Sequence, residues 1–151
     1  MMKIFLTLSL LLTSFALHAQ GTLNASNNFI PAGSTTKAFV LGGDCLPLSK
    51  AVGRVDILDA RDGSFLSPAG PAGIALTLDG LFFINGLSVP GVATGGSAQV
   101  VVRVWDSSTG PDYASALARG QTLVTISNLG GGSVPAASFA ANSDFVGVGL
   151  V

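Results

Sequence analysis

Between Ala98 and Asp106, apolar and polar side chains alternate almost without interruption. Val100, Val102 and Val104 fall on one face, and Gln99, Arg103 and Trp105 share the other with Val101, a period of two rich in β-branched residues that predicts a strand around which the rest packs. Over residues 52–58 the same pattern recurs: Val55 and Ile57 point one way, Arg54 and Asp56 the other, as in a half-buried antiparallel strand. Ile74, Leu76 and Leu78 alternate with Ala75 and Thr77, Asp79-Gly80 reads as a two-residue hairpin turn, and residues 81–84 return beside the strand just left. Asn85-Gly86 reads as a second turn, leading into a short strand over residues 87–89. Further strands are expected at residues 122–127 and 145–151. Short edge strands are expected around Phe29 and Ile30 and around Phe39, Val40 and Leu41, within an Asn-, Gly- and Ser-rich stretch from 21 to 51.

Glycine and proline punctuate the rest. Residues 67–73 form a Pro/Gly connector, and 90–96 and 130–142 read as loops. One segment carries helix signals: Pro111 suits a first helical position, Asp112 suits the positive end of the dipole, residues 114–118 favour helix, and Gly120 stops it. A helical turn there, bearing Tyr113, Ala116 and Leu117, would cover the outer face that carries Val101 and Trp105. Seven to nine short strands, frequent Gly/Pro turns and one short helical turn predict an all-β fold, an antiparallel β-sandwich.

The N-terminus has a different pattern. Lys3 precedes an apolar run from Ile4 to Phe15, and small and polar residues follow, which is the layout of a secretory signal peptide over residues 1–19. Cleavage is expected after Ala19, with Ala16 as the alternative, leaving residues 20–151 as a single domain without a membrane span. The protein is then secreted: extracellular, cell-surface or periplasmic. Removing the leader changes the chemistry, because the only histidine, His18, and both methionines leave with it. With no histidine, Ser-His-Asp and Cys-His nucleophiles and His-ligated zinc are excluded from the mature chain. The chain has no glutamate, and the formal charge of −1 falls to −2 when Lys3 is removed, too weak a balance to argue for nucleic acid or an anionic membrane, and no nucleic-acid partner is expected.

Few groups remain that could carry a site. Aspartates could supply a glycosidase pair, but Asp44, Asp59, Asp62, Asp79, Asp106 and Asp112 sit at turn positions, where the side chain serves its own backbone. No catalytic residue is assigned, and no enzyme activity is expected. Asp106 and Asp112 bracket Ser107, Ser108 and Thr109, an oxygen-rich loop that makes calcium the one candidate cation, against the reading in which these side chains cap the following turn. Trp105, Arg103 and Tyr113 form the one candidate ligand-binding cluster. Trp105 serves either as a sugar-stacking platform or as a ring buried under residues 112–118, with Arg103 stacked on it. Cys45 has no partner in the chain; it is expected as a small buried side chain, with an intermolecular bridge or a ligand as the alternatives.

Two resemblances bear on the fold. Leu87-Ser88-Val89-Pro90-Gly91 followed by residues 98–106 resembles the "L-x-P-G … Y-x-V-x-V-x-A" passage of fibronectin type III and related Ig-like domains, with Ala98 where the tyrosine stands. The stretch from Asn85 to Thr125 contains VPGVA, then VVVRVWDSSTG, and Tyr113 among alanines. It resembles a family of uncharacterised secreted bacterial proteins with a segment like "VPGVAPGGTATVQVRAWDSSTG", which often carry a PEP-CTERM sorting tail that this chain lacks. The resemblance implies secretion and an Ig-like sandwich, and it transfers no activity. The expected role is a non-catalytic secreted or cell-surface protein, structural or adhesive, whose partner is another copy of itself, extracellular matrix or polysaccharide. The alternative is a small carbohydrate-binding module.

Overall fold

A computed structural model describes residues 20–151, and the leader expected over 1–19 lies outside the described residues. The fold is all-β. In chain order the strands are β1 (Gln20–Ser26), β2 (Val40–Leu41), β3 (Gly53–Asp59), β4 (Ile74–Ala75), β5 (Phe83–Ala93), β6 (Ala98–Asp106), β7 (Arg119–Ile126), β8 (Ala137–Ser138) and β9 (Val148–Gly149), with a 3-10 turn (Gly70–Ala72) before β4 and a short α-helix, α1 (Phe139–Asn142), between the last two strands. They form three sheets. One has the order β5-β1-β8, a second β4-β3-β6-β7, and β2 pairs with β9 in a parallel ribbon.

The organising strand occupies the position its pattern predicts. β6 lies inside the four-stranded sheet, antiparallel to β3 and β7. Its Val100, Val102 and Val104 join Val55 and Ile57 of β3, Val124 and Ile126 of β7, Leu23 and Ala25 of β1 and Ile84, Leu87 and Val89 of β5 in one hydrophobic cluster. The buried faces of the two larger sheets therefore share a single core, as the period of two along each strand requires. Phe82, Phe139 and Phe145 fill one part of it, with ring centroids 5.5 to 6.3 Å apart.

Several expectations are corrected. The stretch from 21 to 51 does not contribute only edge strands: β1 is central in its sheet, with Leu23 and Ala25 fully buried, and Phe29 and Ile30 lie outside any strand. Asn85-Gly86 does not turn the chain. β5 runs straight through it, and the two residues bulge opposite Asn24, whose Oδ1 accepts the Gly86 N–H at 2.9 Å while Gly86 takes φ +66°. A dipeptide able to adopt positive φ serves a bulge as well as a hairpin. Likewise Pro90-Gly91, expected in a loop, lies inside β5. The helical turn expected after Pro111 is present as one turn, closed by Ala116 N–H donating to Asp112 O at 3.0 Å. A regular α-helical turn occurs in addition at α1, inside the expected loop, capped by Ser138 Oγ accepting from Ala141 N–H. Only Val148 and Gly149 of the expected last strand are regular.

The C-terminal segment ties the two sides of the domain together. Asp144 Oδ1 accepts the Thr125 N–H at 2.8 Å, and Val151 exchanges two backbone bonds with Arg119 at the other end of β7. Between these, Val148 donates to Phe39, just before β2, and Leu150 to Leu41 within it.

A buried side chain that no pattern announces joins three segments. Asn27 is fully buried: its Nδ2 donates to Ala38 O and Gly80 O, both at 2.8 Å, and its Oδ1 accepts from Phe82 N–H at 2.7 Å.

Candidate functional site

The outer face of the four-stranded sheet, opposite the core, holds the candidate ligand-binding residues in rows across the strands. Pairing register places Asp56, Arg103 and Gln121 side by side, then Arg54, Trp105 and Arg119 in the row on one side of them and Leu58, Val101 and Leu123 in the row on the other. These rows follow from alternation: the residues between the core positions of β3, β6 and β7 must face the other way.

The row with Trp105 is covered. Trp105 is 0% exposed, so the burial reading holds and the ring is not available as a sugar-stacking platform. Tyr113, on the segment following β6, meets it edge-on at 6.3 Å between centroids, and the backbone of Gly73 presses against its six-membered ring. Gly73 has φ +65°, and a Cβ there would overlap the indole. The covering segment is tied down by Arg119, whose Nη1 donates to the carbonyls of Tyr113 and Ala114.

In the middle row, Arg103 donates through Nε and Nη2 to the two oxygens of Asp56, at 2.9 and 2.6 Å. The carboxylate is wholly buried, and burial pushes its pKa above the usual value while the Arg103 bonds and charge pull it back. The guanidinium of Arg103 is held higher by the same pair. That guanidinium stacks on Tyr113, 4.6 Å from the ring centroid, and on Phe65 at 5.4 Å, rather than on Trp105 as expected. Arg119 lies 5.5 Å from the Tyr113 centroid, so two cations already occupy that ring. The Tyr113 hydroxyl donates to Gln121 Oε1 at 3.2 Å.

The third row is open. Leu58 is buried beneath the bridge to Phe65, Val101 is half-buried, and the two ends of the row are exposed, Phe65 at 40% on the β3 side and Leu123 at 55% on β7.

Asp106 and Asp112, the calcium candidates, each serve their own turn. Asp106 Oδ1 accepts from the N–H and hydroxyl of Ser108, and Asp112 Oδ1 accepts from the N–H and hydroxyl of Ser115, which holds the Asp112 carboxyl below the usual range. The described residues bring no third acidic, histidine or cysteine side chain to either. Asp44 and Asp62 behave alike, accepting from Leu46 N–H and Ser64 N–H, whereas Asp79, expected to serve its own backbone, instead accepts from the distant Lys50 N–H. Asp59 accepts from Arg61, which also reaches Pro90 O and so links the turn after β3 to β5.

Cys45 is exposed, contrary to the expectation that it is buried, and adopts φ +62°. A hydrogen-bonded loop, with Gly42 N–H donating to Leu46 O, lifts it onto the rim of a cleft of about 480 Å³ lined by Phe39, Leu41, Pro47, Val146 and Val148.

Sequence reasoning singled out Arg103, Trp105 and Tyr113 but passed over Asp56, Phe65, Gln121 and the flanking Arg54 and Arg119. Alternation on β3 signalled the outward direction of Arg54 and Asp56; only pairing register shows what they face. Comparison with known protein families, curated proteins and solved structures gives no match. Among the described residues no helix is long and apolar enough to cross a membrane.

Proposed function

We propose that this chain is a secreted, non-catalytic extracellular module with an Ig-like β-sandwich fold that makes adhesive or structural contacts through the outer face of β3, β6 and β7. The observation that carries the reading is the fixed position of Arg103: a buried carboxylate holds its guanidinium between Phe65 and Tyr113, beside the open row of Val101 and Leu123. The surface is thus rigid and mixed in character, and a rigid contact loses little side-chain entropy on binding. The leader-like N-terminus and the resemblance to secreted bacterial proteins support the extracellular address.

An adhesive role is favoured over a sugar-stacking module because the ring best placed for stacking, Tyr113, has arginines against it and Trp105 is buried. The test is adsorption of the exported protein to cell-envelope and matrix preparations of its host, with Leu123→Asp as the comparison. Saturable adsorption that the variant loses supports the reading. Wild-type protein that adsorbs to nothing, or a variant that adsorbs equally, overturns it.

A further inference from the structure

The described residues contain four arginines, widely separated in sequence, and the topology gathers three of them on one face. Arg54 and Arg119 flank Trp105 directly across the sheet, and Arg103 lies two residues along β6. With strands roughly 4.8 Å apart and about 3.3 Å per residue, the three positions fall within about 10 to 12 Å of one another. The same faces of these strands carry one carboxylate, Asp56, which is buried and fully engaged by Arg103. Arg54 and Arg119 are half-exposed and donate to backbone carbonyls, Arg54 to Gly53 O and Arg119 to Tyr113 O and Ala114 O. Among the described residues neither forms an ion pair; the two ion pairs present are Arg61 with Asp59 and Arg103 with Asp56. The acidic residues nearest in sequence to the covering segment, Asp106 and Asp112, are bound into their own turns. In a chain with an overall negative balance, the strand positions of this face thus carry three positive groups against one negative, with Asp112 on the covering segment as the other carboxylate beside them.

Resting on the reading above, we infer that this face takes an acidic polysaccharide, a polymer bearing uronate-type carboxylates. Arg54 and Arg119 meet the carboxylates, Gln121 offers its amide to hydroxyls, and exposed Leu123 lies against the apolar face of a sugar ring. Carboxylate suits a guanidinium because the fork of N–H groups matches its two oxygens. A sugar polymer also fits the spacing, since a few separated charges interleaved with apolar and amide groups match a chain whose charges are a ring apart. Nucleic acid does not fit, because its phosphates are denser and the Tyr113 ring a base would stack on is taken by arginine.

The experiment is affinity electrophoresis and titration calorimetry of the purified full chain with polygalacturonate, neutral dextran and poly-L-glutamate. The expected result is binding to polygalacturonate that weakens with salt and is absent for dextran. Arg54→Gln with Arg119→Gln is expected to weaken it by about tenfold or more, because each lost bond joins two charged groups. Lys37→Gln with Lys50→Gln, outside this face, leaves binding unchanged. Trp105 emission checks that the double arginine variant stays folded. Should it not, Arg54→Gln alone carries the test, since that guanidinium bonds only the neighbouring carbonyl.

Binding that survives loss of both arginines, equal binding to dextran, or tighter binding to poly-L-glutamate overturns the inference, the last pointing to an acidic protein. If the wild type ignores polygalacturonate yet still adsorbs to the host matrix, this inference falls while the adhesive reading stands. If it adsorbs to neither, both fall.

Discussion

Asp56 and Arg103 lie directly opposite each other on β3 and β6, joined by two hydrogen bonds, with the carboxylate wholly out of solvent and the guanidinium 20% exposed. Arg103→Met removes the group that pulls the Asp56 pKa down, so its folded-state value rises further above 3.8. A carboxyl whose pKa is higher folded than unfolded costs stability as pH climbs from the unfolded value through the folded one. The variant is therefore expected to be about 3 to 5 kcal/mol less stable than wild type at neutral pH, because it buries an unpaired charge. The deficit shrinks as pH falls toward 4 and Asp56 takes up a proton. Urea unfolding at several pH values checks this; a deficit independent of pH would show that Asp56 is not the cause.

Gly73→Ala is expected to be costly although the added group is one methyl. The position has φ +65°, and the Cβ would enter the space of the Trp105 ring. A backbone conformation that is essentially glycine's alone and overpacking together cost about 2 to 4 kcal/mol. Trp105 emission should shift to the red as the covering segments loosen, and unchanged emission with unchanged stability would contradict the packing described.

Asn27→Ala leaves the carbonyls of Ala38 and Gly80 and the N–H of Phe82 without their side-chain partner. The expected loss is about 3 to 5 kcal/mol, since each buried orphan costs about 1 to 3 kcal/mol and local relaxation recovers part. Asn27→Asp should fare no better, because an ionised carboxylate cannot donate to either carbonyl. A thermal unfolding midpoint within a degree or two of wild type for either variant would refute the role assigned to Asn27.

Cys45 is expected to react with a thiol reagent such as Ellman's in the native protein about as fast as in the unfolded chain, because it is exposed. Cys45→Gly is expected to be stabilising by up to about 1 kcal/mol, relieving a non-glycine residue at φ +62°. Protection of the thiol until unfolding would mean that the loop from Gly42 to Leu46 lies differently.

Near-neighbour rules explain what the candidate site shows in the sequence and what it hides. Trp105 beside Tyr113 and Arg103 was visible because all three fall within a short stretch on and after one strand. Asp56, Arg54 and Arg119 were not, because their partners lie on other strands and register cannot be counted from sequence. Asn85-Gly86 shows the same ambiguity within one strand, since positive φ suits a hairpin or a bulge, and only the pairing with β1 shows that it is a bulge.

The amino-acid sequence by itself determined the all-β class, the core faces of β6 and β3, and most of the aspartate turns. Each rests on side-chain alternation or on a residue bonding its own backbone, and neither needs distant partners. The tertiary structure decided that β1 is central, that Trp105 is sealed beneath Gly73 and Tyr113, that Cys45 is exposed, and that three distant arginines share one face. These depend on strand order and register, which are set by how two sheets jointly bury one core, a property of the whole chain that no local window contains.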